Sequence, residues 1–283
     1  MFKGNSVIAR LSVAAAMAII GTGFAADAKQ GSILDLSSNG VSWVNANNRD
    51  MLPPASGPGP VTFDPRHPYV GSGRGQQATF RIADVTNPIL KPWAAERMKK
   101  YNDEILLNGK SEYTARATCR PAGTPGVFSH VLMPQFFIQT EKQVWIIYGG
   151  NTEVRRVYLN VPHTKNPKPS WYGESVGHYE GDTLIVDTIA QDARTFVDNY
   201  RTPHTEQLHV VETYRLIEGG KTLEVNIQVD DPGAFNMPWS AVQRYARSNA
   251  GPLEEDPCAE NNASWETPNN VGLNTPVADK PDF

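Results

Sequence analysis

The tripeptide Pro-His-Thr occurs twice, as Pro162-His163-Thr164 and Pro203-His204-Thr205, and a third imidazole, His209, follows the second copy. Imidazole changes charge near neutral pH, so it can act as acid, base or metal ligand. Glu212, Asp230 and Asp231 are the carboxylates expected near these histidines. Two chemistries fit the set. Two or three of His163, His204 and His209 with a carboxylate would hold a divalent metal. Alternatively, one histidine oriented by Glu212 or Asp230 would act as general acid or base. A third reading is structural, with the rings holding loops in place through backbone hydrogen bonds. His204 and His209 do not have the one-face spacing of a helical HExxH site, so a metal would need a loop-to-strand geometry.

Glu212 has a local argument of its own. In "LHVVETYRL" the residues Leu208, Val210, Glu212, Tyr214 and Leu216 share one face of a strand. A carboxylate in that apolar row either points into a cavity or pairs with a buried cation, because burial alone disfavours its charged form. Arg215 is on the opposite face, which leaves Arg155, Arg156 or a histidine as partner. His178 shares a face with Glu174, Val176 and Glu180, so it lines a cavity or is a satisfied structural residue. Trp171, Tyr172, Tyr200, Tyr214 and Trp239, with Glu174 and His178, are the candidate ligand-binding residues. Those not used in core packing would suit an apolar or aromatic ligand.

These residues need a scaffold. From Gln135 onward the chain reads as about eight short strands: "QFFIQT", "QVWIIYG", "EVRRVYLN", "GESVGHYE", "DTLIVDT", "LHVVETYRLI", "TLEVNIQVD" and "SAVQRYARS". Tight links such as "EGD" and "EGGK" read as hairpin turns. The expected fold is mostly β: an antiparallel up-and-down meander forming a lipocalin-like barrel. In a meander, alternate links leave from the same end. The long links at 161–172, 189–207 and 231–239 are the third, fifth and seventh, so all three are expected at one mouth with His163, His204 and His209.

A helix is expected from Pro92 to Leu107, with Pro92 in its first turn, Gly109 as its stop, and Ala94, Met98, Tyr101 and Ile105 on one face. Residues 29–86 are rich in Gly, Pro, Ser and Asn and read as an irregular arm. The β domain with its helix is placed at 87–250, and residues 251–283 read as an irregular tail.

Residues 1–28 read as a secretory signal peptide: Lys3 and Arg10, an apolar run from Leu11 to Phe24, then Ala26-Asp27-Ala28, with cleavage after Ala25 as the alternative. A periplasmic or secreted location follows, with no membrane span. The net charge of −4 and the lack of a basic patch argue against nucleic acid as a partner. The expected partner is a small molecule. Cys119 and Cys258 are the two cysteines. In an oxidising compartment they form a bridge or remain two buried thiols.

The segments "KPSWYGESVGHYEGDTLIVDTI", "FVDNYRTPHTEQLHVVETYRLI" and "VDDPGAFNMPWS" resemble a widespread family of uncharacterised exported bacterial proteins. "RPAGTPG" after Cys119 and "CAENN" at Cys258 fit the same resemblance, which covers roughly residues 85 to 265. It implies export and groups these segments around one site; it implies no activity. Thr213 departs from the Arg usual after the Glu.

The functional expectation is an enzyme acting on a small, partly apolar or aromatic molecule at the barrel mouth, as a lyase, isomerase or hydrolase using His163, His204, His209, Glu212 and Asp230. The alternative is a non-catalytic binding protein of lipocalin type.

Overall fold

The computed structural model describes residues 34–37, 42–46, 50–71, 76–110, 119–129, 134–249 and 253–255. The leader, residues 111–118, Cys258 and most of the tail lie outside them. Nine strands close into a barrel: β1 (Ser42–Asn45), β2 (Gln135–Gln139), β3 (Gln143–Tyr148), β4 (Glu153–Leu159), β5 (Glu174–Glu180), β6 (Thr183–Ile189), β7 (His209–Ile217), β8 (Thr222–Asp230) and β9 (Trp239–Ser248). All eight segments expected from period-2 alternation are strands. Their inward side chains form the core. Leu223, Val225, Ile227 and Val229 of β8 are each 0% exposed, and burying such a side chain contributes roughly 1.5–3 kcal/mol.

Two features differ from the meander. The first is β1, which lies in the segment expected to be an irregular arm. It pairs with both β9 and β2 and closes the barrel. Trp43 faces inward from it at 0% exposure. Closure removes the two open edges that an eight-stranded sheet would present. Most other described parts of the arm are loops, joined by bridges such as Leu52 to Val242 and Phe63 to Ala83.

The second is the parallel pairing of β4 with β5, Val157 opposite Ser175 and Leu159 opposite Gly177. A parallel pair needs a crossover, not a turn. Residues 160–173 supply it. Asn160 leaves β4 with a left-handed φ of 58°, and Pro162, Pro167 and Pro169 lack the N–H groups that strand pairing uses. The crossover carries the chain back along the barrel, so the parity of the earlier links is inverted. The 149–152 link lies at the same end as the long 190–208 and 231–238 links, and the β2–β3 turn lies at the other end. Tyr148 and Glu153 thereby flank the end where the long loops gather.

The helix α1 (Pro92–Leu106) forms where expected, and Ala94, Met98 and Ile105 are buried. Tyr101 is only half-buried. Asn102 is the buried neighbour, and its side-chain amide bonds the N–H and C=O of Ala83, both at 2.9 Å. A 3-10 turn at Gly126–Ser129 reaches the barrel at Phe128, whose ring lies 6.4 Å from Tyr214 and whose carbonyl accepts from Gln243 Nε2 at 2.8 Å. A Cβ on Gly126 would meet Phe196 O at 2.3 Å, so only glycine allows the turn to sit so close to the 190–208 loop. Among the described residues no helix is long and apolar enough to cross a membrane.

Candidate functional site

The sequence-predicted residues divide between the inside of the barrel, its outer wall and the loops. Inside, Arg155, Ser175, Thr188 and Glu212 project from four successive strands, β4 to β7, and all are buried. Arg155 Nη1 donates to Glu212 Oε1 at 3.0 Å and Oε2 at 2.8 Å. Its Nε donates to Ser175 Oγ at 3.0 Å and its Nη2 to Thr188 Oγ1 at 2.7 Å. Tyr214 OH donates to Glu212 Oε2 at 2.9 Å. Glu212 therefore sits inside, as its strand phase required, and Arg155 is its partner. Burial opposes the Arg155 charge, but the adjacent Glu212 carboxylate outweighs it and holds the guanidinium above its ordinary pKa.

Around this pair stand three tyrosines. Tyr148, Tyr214 and Tyr245 are each at most 5% exposed. Burial raises the pKa of all three, so each keeps its hydroxyl proton. The Tyr148 and Tyr245 hydroxyls make no hydrogen bond of good geometry. Arg155 lies within electrostatic reach of Tyr148, and Gln135 stands beside the Tyr245 hydroxyl. A buried hydroxyl left in that state costs about 1–3 kcal/mol. Towards the loop end, Tyr148 stacks on Tyr172 with centroids 5.8 Å apart and planes 9° from parallel. Tyr172 OH donates to Glu153, which also accepts from Ala122 N at 3.2 Å.

On the outer wall, Asp187 of β6 collects two imidazoles. Its Oδ1 lies 3.0 Å from His163 Nε2 and 2.8 Å from His209 Nε2. His163 Nδ1 lies 2.9 Å from Glu174 Oε1, which also accepts from Thr164 N at 2.8 Å. Burial opposes the Glu174 charge, but the Thr164 hydrogen bonds and His163 together outweigh it and hold its carboxyl below the ordinary range. Both ring nitrogens of His163 face carboxylate oxygens. The cluster ties the 160–173 crossover to the wall. Asp187 was not among the residues singled out from sequence. Its place in "TLIVDT", out of phase with the buried Leu184, Val186 and Thr188, was the available signal.

His204 is elsewhere. It is 2% exposed, in the 190–208 loop. Its Nδ1 faces Thr205 O at 2.8 Å and must carry the proton, leaving Nε2 to accept from Thr195 Oγ1 at 2.7 Å. Burial lowers its pKa, and the ring is neutral. The trio proposed as metal ligands is thus divided, because His204 has both nitrogens engaged in the loop that holds it. Among the described residues no group of three or more His, Cys, Asp or Glu side chains is arranged to hold a metal ion.

The other candidates fall in several places. Asp230 is exposed on the outer wall, opposite His209 in register. Asp231 is buried and pins two loops, accepting from Thr205 N at 2.6 Å, Thr205 Oγ1 at 2.7 Å and Gly233 N at 2.9 Å. His178 is on the outer wall, 3.0 Å from Glu180 Oε1, and lines no interior space. Trp171 lies under the Arg194 guanidinium at 4.5 Å. Tyr200 is buried in the loops and donates to Asp50 Oδ2 at 3.0 Å. Trp239 is buried against Phe235, with centroids 5.8 Å apart. Cys119 is disulfide-bonded.

Sequence reasoning missed Tyr148 and Tyr245. Each ends an alternating buried row, Val144-Ile146-Tyr148 and Ala241-Gln243-Tyr245, and that phase was legible. No family model matches the chain, and no curated protein matches it either.

Proposed function

We propose that this chain is an exported small-molecule binding protein that takes a partly apolar organic ligand into the barrel interior. The observation that carries this reading is the pair of buried hydroxyls, Tyr148 and Tyr245, left without good hydrogen bonds beside the Arg155–Glu212 pair. Closed barrels of this size either fill their interior with side chains or hold one small ligand. Polar groups with unused bonding capacity in such an interior point to a ligand that completes them. The test is titration of the mature protein with the neutral fluorophore N-phenyl-1-naphthylamine, together with thermal unfolding across a set of uncharged aromatics. One saturable site and a ligand-dependent rise in Tm are expected. Absence of both would remove the reading.

A second reading, acid–base catalysis, draws on Asp187 holding His163 and His209 at one oxygen. Binding is preferred because the interior carboxylate is already committed. Both Glu212 oxygens are engaged, by Arg155 and Tyr214, and His204 has no free nitrogen to act as a base.

A further inference from the structure

We infer that the barrel interior selects an uncharged aromatic molecule bearing a carbonyl or phenolic oxygen, and discriminates against its carboxylate analogue. This rests on the binding reading above and names the ligand class for the same site.

Charge is the first argument. Among the described residues of this interior group the cation is Arg155, and it is already paired: its guanidinium serves Glu212, Ser175 and Thr188 together. Arg155 and Glu212 cancel. Glu153, at the loop end, accepts from the Tyr172 hydroxyl and the Ala122 N–H. A carboxylate entering beside Arg155 would lose its water and meet a guanidinium already paired with Glu212, which is strongly unfavourable.

Hydrogen bonding is the second. The groups with capacity to spare are the Tyr148 and Tyr245 hydroxyls. Burial keeps both protonated, so each can donate to a neutral oxygen. Shape and surface are the third. The walls near them are aromatic and aliphatic. Tyr148 is already one face of a parallel stack with Tyr172, and Phe128 and Phe137 meet Tyr214 with centroids 6.4 and 6.2 Å apart. Such walls favour a flat ring.

The test compares three ligands of similar size: acetophenone, with a neutral oxygen; benzoate, with a charged one; and ethylbenzene, with none. Isothermal titration of the mature wild-type protein is run beside Tyr148→Phe and Tyr245→Phe variants. Acetophenone is expected to bind at least about tenfold tighter than benzoate, since an unpaired buried charge costs several kcal/mol. Each Tyr→Phe change is expected to weaken acetophenone by about fivefold, the worth of one neutral hydrogen bond, and to leave ethylbenzene unchanged. Folding of the variants is checked by their unfolding midpoints, which should hold or rise because the removed hydroxyls make no hydrogen bond of good geometry.

The outcomes separate the two levels. If ethylbenzene binds as tightly as acetophenone, or benzoate as tightly as either, the interior binds ligands but the class inferred here is wrong. If the variants lose stability while acetophenone affinity is unchanged, an ordered water completes the hydroxyls and the inference also falls. If none of the three ligands nor N-phenyl-1-naphthylamine binds, the binding reading itself fails.

Discussion

Replacing one member of the Arg155–Glu212 pair tests the interior directly. In Glu212→Gln the guanidinium, 1% exposed, keeps its charge and loses its counter-ion. Stranding a buried charge in this way costs about 3–5 kcal/mol. Arg155→Met should cost a similar amount by stranding Glu212, which is 0% exposed. Removing both charges, as Arg155→Met/Glu212→Leu, leaves no stranded charge. Ser175 and Thr188 still bond each other at 3.0 Å. One loss remains: the Tyr214 hydroxyl, which donates to Glu212 at 2.9 Å, is orphaned. That residual cost is about 1–3 kcal/mol, and adding Tyr214→Phe should recover most of it. The order of stability is therefore expected to be wild type near the triple variant, then the double, then either single. Urea unfolding followed by tryptophan fluorescence, with linear extrapolation, gives each value. A single-variant loss below about 1 kcal/mol, or a double variant as damaged as the sum of the singles, would mean that water reaches the pair and that the interior is not the low-dielectric layer described here.

Three other outcomes follow. Burial pushes the Asp198 carboxyl up from 3.8 to about 6; a raised folded-state value means the native state binds the extra proton, so stability falls as pH rises from about 4 to 7, by about 3 kcal/mol. Asp198→Asn keeps the acceptor for Tyr200 N–H and Thr202 N–H, so unfolding measured from pH 4 to 7 should lose that slope; an unchanged slope refutes the assignment. Asp187→Ala removes the shared acceptor of His163 and His209; because those side chains are partly exposed, stability should drop by no more than about 1 kcal/mol, while limited trypsin digestion should cut sooner after Lys165, which precedes Asn166. Trp43→Ala removes the large inward side chain of β1 and should cost about 3–5 kcal/mol, a loss that would be absent if the barrel closed without β1.

How much of this was legible depends on the range of the cause. Strand alternation is local, so all eight segments and the inward phase of Glu212 could be read from neighbouring residues. The ninth strand could not. Ser42–Asn45 is four residues long, too short for a period to show, and it is held by pairing with β9 some two hundred positions away. The parallel pair was hidden for a similar reason. The length of the 160–173 link fits either a long hairpin loop or a crossover, and parity counting assumed the first. Histidine roles were the least legible. His163, His204 and His209 share a residue type and lie in neighbouring segments, yet two meet at a carboxylate on the wall and one is a neutral ring inside a loop. Distances between loops decide that difference, and sequence spacing does not encode them.

The same distinction bears on why the interior is polar at all. A barrel needing only to be stable would be served at least as well by leucine and methionine at positions 155 and 212, since a buried ion pair seldom improves on well-packed apolar side chains. Instead this chain buries an arginine, a glutamate, a serine, a threonine and three tyrosines in one region, and leaves two of the hydroxyls without good bonds. Both members of the ion pair are engaged, so it fixes a charge-neutral polar surface and holds Tyr214 in place. The two hydroxyls are the part that is not satisfied. Their location beside that surface separates a fixed frame from groups left to make bonds. A rise in stability from Tyr148→Phe together with a fall in ligand affinity would be the direct signature of that division, because a purely structural tyrosine would move both in the same direction.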